Sequence, residues 1–179
     1  MPDQAVKLIG IARMAAEAPC LEPKRRVEYF ELGARSYLAR CDNTRVPFRW
    51  TINPYRGCEF GCKYCYARYT HEFMELRDPG QFERKIYAKK FNPVRFREEL
   101  RRLPLGESIA LGTATDPYQP AERRYRVTRQ MLEVFASMAE NFVWKILFGK
   151  FCSENFDRKI LFGKFCSENF VRKILFGKF

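Results

Sequence analysis

The chain has 179 residues, a net charge of +12 from 33 basic and 21 acidic side chains, and 16% aromatic content. That length suits one ordinary core. No apolar run is long enough to cross a bilayer, and Lys7, Arg13 and Glu17 interrupt any stretch that could act as a secretory leader, so the reading is of a cytoplasmic protein with no membrane partner. The basic balance permits a nucleic-acid partner but is equally common on proteins without one.

Residues 1–46 read as a lead-in. Met1 to about Lys24 mixes alanine, methionine and charge, giving either one short helix or a loose arm, and Cys20 within it reads as a small apolar residue. Arg25 to Arg40 places Val27, Phe30, Leu32 and Leu38 among charges, a weak helical pattern, and Cys41-Asp42-Asn43 reads as a turn. Phe48 to Asn53 is aromatic and β-branched between Pro47 and Pro54, so it predicts a strand. The stretch Tyr55–Cys65 follows directly, at that strand's carboxyl end. A helix is predicted from about Ala67 to Met74, broken by Asp78-Pro79-Gly80. Lys85 to Phe91 is a candidate short strand. Asn92 as cap and Pro93 at the first helical position open a helix to Leu103. Its arginines and glutamates read as a solvated face with local ion pairs. Together with Arg84, Lys85, Lys89 and Lys90 they are also the candidate nucleic-acid patch. Ser108 to Gly112 predicts a buried strand that ends in Thr113-Ala114-Thr115-Asp116-Pro117, and Val127 to Met138 predicts a packing helix.

The thiols in Tyr55-Arg56-Gly57-Cys58-Glu59-Phe60-Gly61-Cys62-Lys63-Tyr64-Cys65 are spaced C-x3-C-x2-C. Thiolates are the ligands that iron–sulfur clusters take, and glycines before the first two let backbone approach a bulky inorganic core. Three sulfurs leave one iron of a four-iron cube open to a small molecule. Zinc is the alternative: it wants four ligands, with Cys41 or His71 as the fourth, which would make the chain a zinc-stabilised nucleic-acid-binding module without catalysis. A disulfide framework is weaker, because seven cysteines leave one over and nothing suggests export.

The motif, with aromatic Tyr64 before the last cysteine, resembles the radical S-adenosylmethionine (radical SAM) enzymes. Pro47–Cys58, Tyr66–Glu72 and Gly112–Glu122 look like the branch related to spore photoproduct lyase, over about Glu28 to Ala139. The resemblance implies that Cys58, Cys62 and Cys65 hold a 4Fe–4S cluster. S-adenosylmethionine would chelate its open iron and, with one electron from a flavodoxin- or ferredoxin-type reductant, be cleaved to a deoxyadenosyl radical in lyase-like chemistry. By position Tyr64 would lie near the adenine, or else act as an aromatic wedge in the loop. Thr113, Thr115 and Asp116 would offer acceptors to the cofactor ammonium, or form a turn and cap, or both. Spore photoproduct lyase places a hydrogen-donor cysteine around the second strand. No cysteine lies between Cys65 and Cys152, so thymine-dimer repair does not carry over.

From Asn141 a 14-residue unit recurs: Lys145–Arg158 and Lys159–Arg172 differ only at Asp157 against Val171, and a third copy runs to Phe179. Glycines at 149, 163 and 177 argue against a coiled coil, and near-identity points to recent tandem duplication of the coding DNA. Cys152 and Cys166 are explained by that duplication. One substitute strand is expected at Phe142 to Phe148, and an aggregation-prone extension beyond it. The expected fold class is thus α/β: a truncated partial radical SAM-type (β/α) barrel of about two to three β/α units in residues 47–140, followed by an irregular repeat tail over 141–179. Without the later strands, turnover is expected to be poor.

Overall fold

The computed structural model describes residues 8–20, 27–104 and 106–138 and, by backbone alone, 21–24, 145–148 and 163–164. Cys152, Cys166 and most of the repeat tail lie outside the described residues. In chain order the elements are α1 (Gly10–Ala16), β1 (Cys20–Lys24), β2 (Val27–Leu32), β3 (Leu38–Arg40), β4 (Trp50–Ile52) and β5 (Tyr55–Arg56). A 3-10 helix (Tyr66–Met74), α2 (Gln81–Arg84), β6 (Lys85–Lys89), α3 (Pro93–Arg101) and β7 (Ser108–Leu111) come next. The last are α4 (Glu122–Tyr125), α5 (Val127–Met138), β8 (Lys145–Phe148) and β9 (Gly163–Lys164).

Two sheets form, of order β1-β2-β6-β5 and β3-β4-β7-β8-β9. In the second, β4, β7 and β8 run parallel, with Ile52 opposite Leu111 and Leu111 opposite Phe148. The chain between β7 and β8 carries α4 and α5, the β–α–β order of a parallel sheet. Lys145–Phe148 therefore occupies the place expected for a substitute third strand. Among the described residues these strands do not close into a barrel.

The main core lies between this sheet and helices α3 and α5: Ile52, Ile109 and Leu111 pack with Phe96, Leu100, Met131 and Phe135. Phe96 and Phe135 meet edge to face at 5.4 Å. Fully burying such a side chain contributes about 1.5–3 kcal/mol. Helix α3 starts where the sequence placed it, and Asn92 Oδ1 accepts the Arg95 amide at 3.1 Å. Glu122 caps α5 by accepting the amides of Thr128 at 2.9 Å and Arg129 at 2.8 Å, and it also accepts the hydroxyl of fully buried Tyr55. Burial raises the pKa of this carboxyl while those donors oppose the rise. A carboxylate facing a helix N-terminus is the favourable sign for the helix dipole.

One predicted element is corrected. The weak helical pattern over Arg25 to Arg40 is not a helix in the described part, residues 27–40, which contains β2 and β3. Tyr29 packs into the main core, whereas Phe30 and Leu32 face a second cluster with Ala15, Met74 and Tyr87. A strand covered on both faces shows no period-two pattern, and the scattered apolar residues then imitate a weak helix.

His71 is 2% exposed, its ring centroid 5.0 Å from that of Phe82, and its Nε2 lies 3.3 Å from the Lys85 carbonyl. Burial pulls its pKa down to about 4. Between pH 6.5 and 4 the unfolded chain therefore binds the extra proton, so stability rises with pH across that window and is lost on acidification. At about 1.36 kcal/mol per unit the loss is on the order of 3 kcal/mol. Urea denaturation at pH 7 and pH 4.5 should show it, and His71→Phe should flatten the difference relative to the parent chain.

Candidate metal centre

The thiol loop leaves β4 through the short strand β5, which pairs antiparallel with β6: Tyr55 faces Ala88 and Arg56 faces Tyr87. Gly57 has φ +81°, and a Cβ there would stand 2.5 Å from the Lys85 carbonyl oxygen and 2.9 Å from that of Phe82. Both are backbone atoms, so only glycine fits. The Cys58 amide then donates to Phe82 O at 2.9 Å, and the Cys65 amide to Cys62 O at 3.1 Å, which closes the C-x2-C turn.

Cys58 is buried in a small apolar cluster with Ala67 and Phe82, and Cys65 packs against it. Burial pushes the Cys58 thiol up to about 11, while the backbone N–H groups of Phe60 and Asp116 hydrogen-bond the sulfur and work the other way. These donors prefer a thiolate, so a bound metal would displace the proton and turn the seat favourable. Cys62 is held through its carbonyl, which accepts Arg68 Nη2 at 3.1 Å; the same guanidinium pairs with Glu83 and lies over the Phe82 ring.

The loop after β7 is tied to the thiol loop. Thr115 Oγ1 donates to Gly57 O at 2.6 Å, and Gln119 Nε2 donates to Gly57 O at 3.1 Å and to Thr115 Oγ1 at 2.9 Å. Gln119 Oε1 accepts the Glu59 amide at 3.2 Å. Asn53, at the end of β4, accepts the Ala114 amide at 2.7 Å and donates to Thr113 Oγ1 at 3.1 Å. Tyr66 Oη donates to Thr113 O at 2.5 Å. The six-residue stretch 113–118 thus borders the cysteines through backbone and side chain alike.

Of the residues assigned to S-adenosylmethionine by position, Thr115 is buried and its hydroxyl is used in this tie. Asp116 is buried, burial raises its pKa, and its Oδ1 accepts the Tyr118 amide at 2.8 Å, which is the turn-and-cap role. Thr113 is half-buried beside Asn53. Tyr64 is 99% exposed, so it is a rim residue and not a wedge in the loop. Asn53, Arg68 and Gln119 were not singled out in the sequence. Their signal is polar type alone, and its meaning depends on which loops the fold brings together.

Among the described residues, neither Cys41 nor His71 is placed as a fourth ligand for zinc. The Cys41 amide donates to Arg49 O at the start of β4, whereas the thiol loop leaves the end of that strand. The His71 ring is turned to the Lys85 carbonyl and Phe82. Among the described residues, no three Cys, His, Asp or Glu side chains already converge as a single-ion site. Zinc would need them within bonding distance of one centre, at about 2.3 Å for sulfur. The donor set is of the kind an iron–sulfur cluster takes: soft thiols on one loop, one of them seated among N–H donors and buried.

Gly57→Ala should therefore destabilise the chain by at least about 2 kcal/mol in urea, because a positive φ and two backbone clashes coincide. A midpoint equal to the parent's would contradict this reading of the loop.

An uncharacterized protein of Mycobacterium tuberculosis is 38% identical to the chain over 131 residues, which are 72% of this chain and 37% of that protein. A Mycobacterium bovis protein matches to the same extent. An uncharacterized protein of Methanocaldococcus jannaschii is 28% identical over 98 residues, 54% of this chain and 35% of that protein. No protein-family model matches the chain, and neither does any solved structure. The chain spans little more than a third of the length of the curated relatives it matches.

Proposed function

We propose that this chain carries the cluster-binding part of a radical S-adenosylmethionine protein of the spore photoproduct lyase-related branch. The observation that supports it best is the C-x3-C-x2-C loop at the carboxyl end of β4, with the Cys58 sulfur between two backbone donors and the loop tied to the turn after β7. Parallel α/β sheets place their ligands at that end of the strands.

Cys58, Cys62 and Cys65 would hold three irons of a 4Fe–4S cluster. When bound, that cluster and S-adenosylmethionine supply one-electron reductive cleavage of a sulfonium, the difficult step that such groups carry for the protein. The protein's part is placement and shielding. Phe82 and Ala67 keep water from the Cys58 side, and the Phe60 and Asp116 amides stabilise negative charge on sulfur. The Thr113–Asp116 turn offers the polar edge on which an amino-acid group would be aligned. Phe60, Tyr64 and Tyr66 stand exposed around the loop, 44%, 99% and 62% respectively, so among the described residues the outer side of the loop is open to solvent. Loading with iron, but slow cofactor cleavage by this chain alone, follows from that openness.

In the candidate nucleic-acid patch Arg84 pairs with Asp78, Lys90 with Glu31 at 3.5 Å and Arg95 with Glu99 at 3.6 Å, which holds three of its cations in local ion pairs.

Anaerobic reconstitution with iron and sulfide, followed by metal analysis, tests the proposal. About four irons and four sulfides per chain are expected. Each of Cys58→Ala, Cys62→Ala and Cys65→Ala should lose them, while Cys20→Ala and Cys41→Ala should not. Stoichiometric zinc in the parent chain, or iron retained without the three thiols, would refute it.

A further inference from the structure

On the four-stranded sheet, away from the cysteines, Arg56 on β5 and Lys89 on β6 both line a cavity of about 200 Å³. Arg56 lies opposite Tyr87 in the antiparallel ladder, so Arg56, Tyr87 and Lys89 share one face, the face that carries the cluster of Leu32, Ala15 and Met74. Arg35 and Ser36 also line the cavity, and Met14 and Leu32 give it an apolar wall.

Among the described residues neither cation has a counter-charge of its own. Arg56 Nε is fully enclosed and has no hydrogen-bond partner. No ion pair is formed by Arg56 or Lys89 among the described residues. The acid that acts on Lys89 is Glu99, and its carboxylate is already engaged. Its Oε2 accepts the Tyr37 amide at 2.8 Å, the Ser36 hydroxyl at 2.9 Å and the Leu38 amide at 3.2 Å, and its Oε1 lies 3.6 Å from Arg95. Burial, with Arg56 nearby, pulls the Lys89 ammonium down to about 8. Two half-buried cations lining one cavity, without an ion-pair partner among the described residues, oppose folding, and an enclosed, unpaired guanidinium nitrogen is rare in native proteins.

We propose that this cavity is a binding site for a small oxyanion, a phosphate or carboxylate group whose oxygens are held by Arg56 and Lys89 with its stem along Met14 and Leu32. A planar guanidinium beside an ammonium is the donor set that recognises such groups. None of the three cysteines and none of Thr113–Asp116 lines the cavity, so the site stands independently of the cluster reading.

Thermal unfolding of the full chain in phosphate, in acetate and in chloride at matched ionic strength tests this. A saturable rise in melting temperature with phosphate or acetate over chloride is expected, and the anion that acts distinguishes the two sources. Arg56→Met and Lys89→Met should abolish the rise, and in chloride each should be at least as stable as the parent, since a half-buried charge without an ion-pair partner has been removed. Titration of the parent chain with inorganic phosphate should also shift the Arg56 Nε–H resonance, a readout that needs no variant. No anion-specific stabilisation, stabilisation kept in both variants, or an unmoved Arg56 resonance would overturn the proposal.

Discussion

The carbonyl oxygen of Gly57 is the point on which the structure turns. It accepts from Thr115 and Gln119 at once, while the residue itself sits in a left-handed conformation against the carbonyls of Phe82 and Lys85. This one peptide joins the ends of two parallel strands, β4 and β7, to the start of β6 in the other sheet. It also fixes the direction in which Cys58 leaves the loop. Because both donors are buried, losing either would leave a polar group unmatched, at a cost of about 1–3 kcal/mol. The arrangement is therefore stable as a unit and poorly tolerant of partial change.

The same economy of burial shapes the electrostatics. Cys58, Asp116, Glu122 and His71 are all shifted toward their neutral forms by loss of water, and in each case neighbouring hydrogen bonds work against the shift. For Glu122 the opposing donors belong to a helix end and serve packing. For Cys58 they come from backbone amides of two different loops, and no packing need explains why they should meet at a sulfur. That contrast separates a carboxylate that caps a helix from a thiol that joins two loops.

Much of this was legible in the sequence where local chemistry alone decides. Pro93 after Asn92 set the start of α3, the apolar spacing of Val127–Met138 marked α5 along its whole length, and Pro47 and Pro54 bracketed β4. The thiol spacing pointed to the loop without any knowledge of its partners. Less was legible where tertiary contacts decide. β2 carries apolar residues on both faces, so it imitated a weak helix. Lys85–Lys89 could be recognised as a strand, but not as the neighbour of β2 and β5. Thr115 and Asp116 read as cofactor acceptors or as a turn and cap, and the turn is local, since Asp116 accepts the Tyr118 amide; the tie from Thr115 to Gly57 and Gln119 only appears once two loops meet. Arg56 appeared only within the thiol stretch and Lys89 only within the candidate nucleic-acid patch, because nothing local shows that both line one cavity.

The central claim is a sulfur-held cluster with one iron left open to S-adenosylmethionine, and electron paramagnetic resonance examines it most directly. The reconstituted chain, reduced with dithionite, should give the signal of a reduced 4Fe–4S cluster, and adding S-adenosylmethionine should change its g-values as the open iron gains ligands. A spectrum that the cofactor leaves unchanged, or a chain that gives no cluster signal at all, would contradict the account.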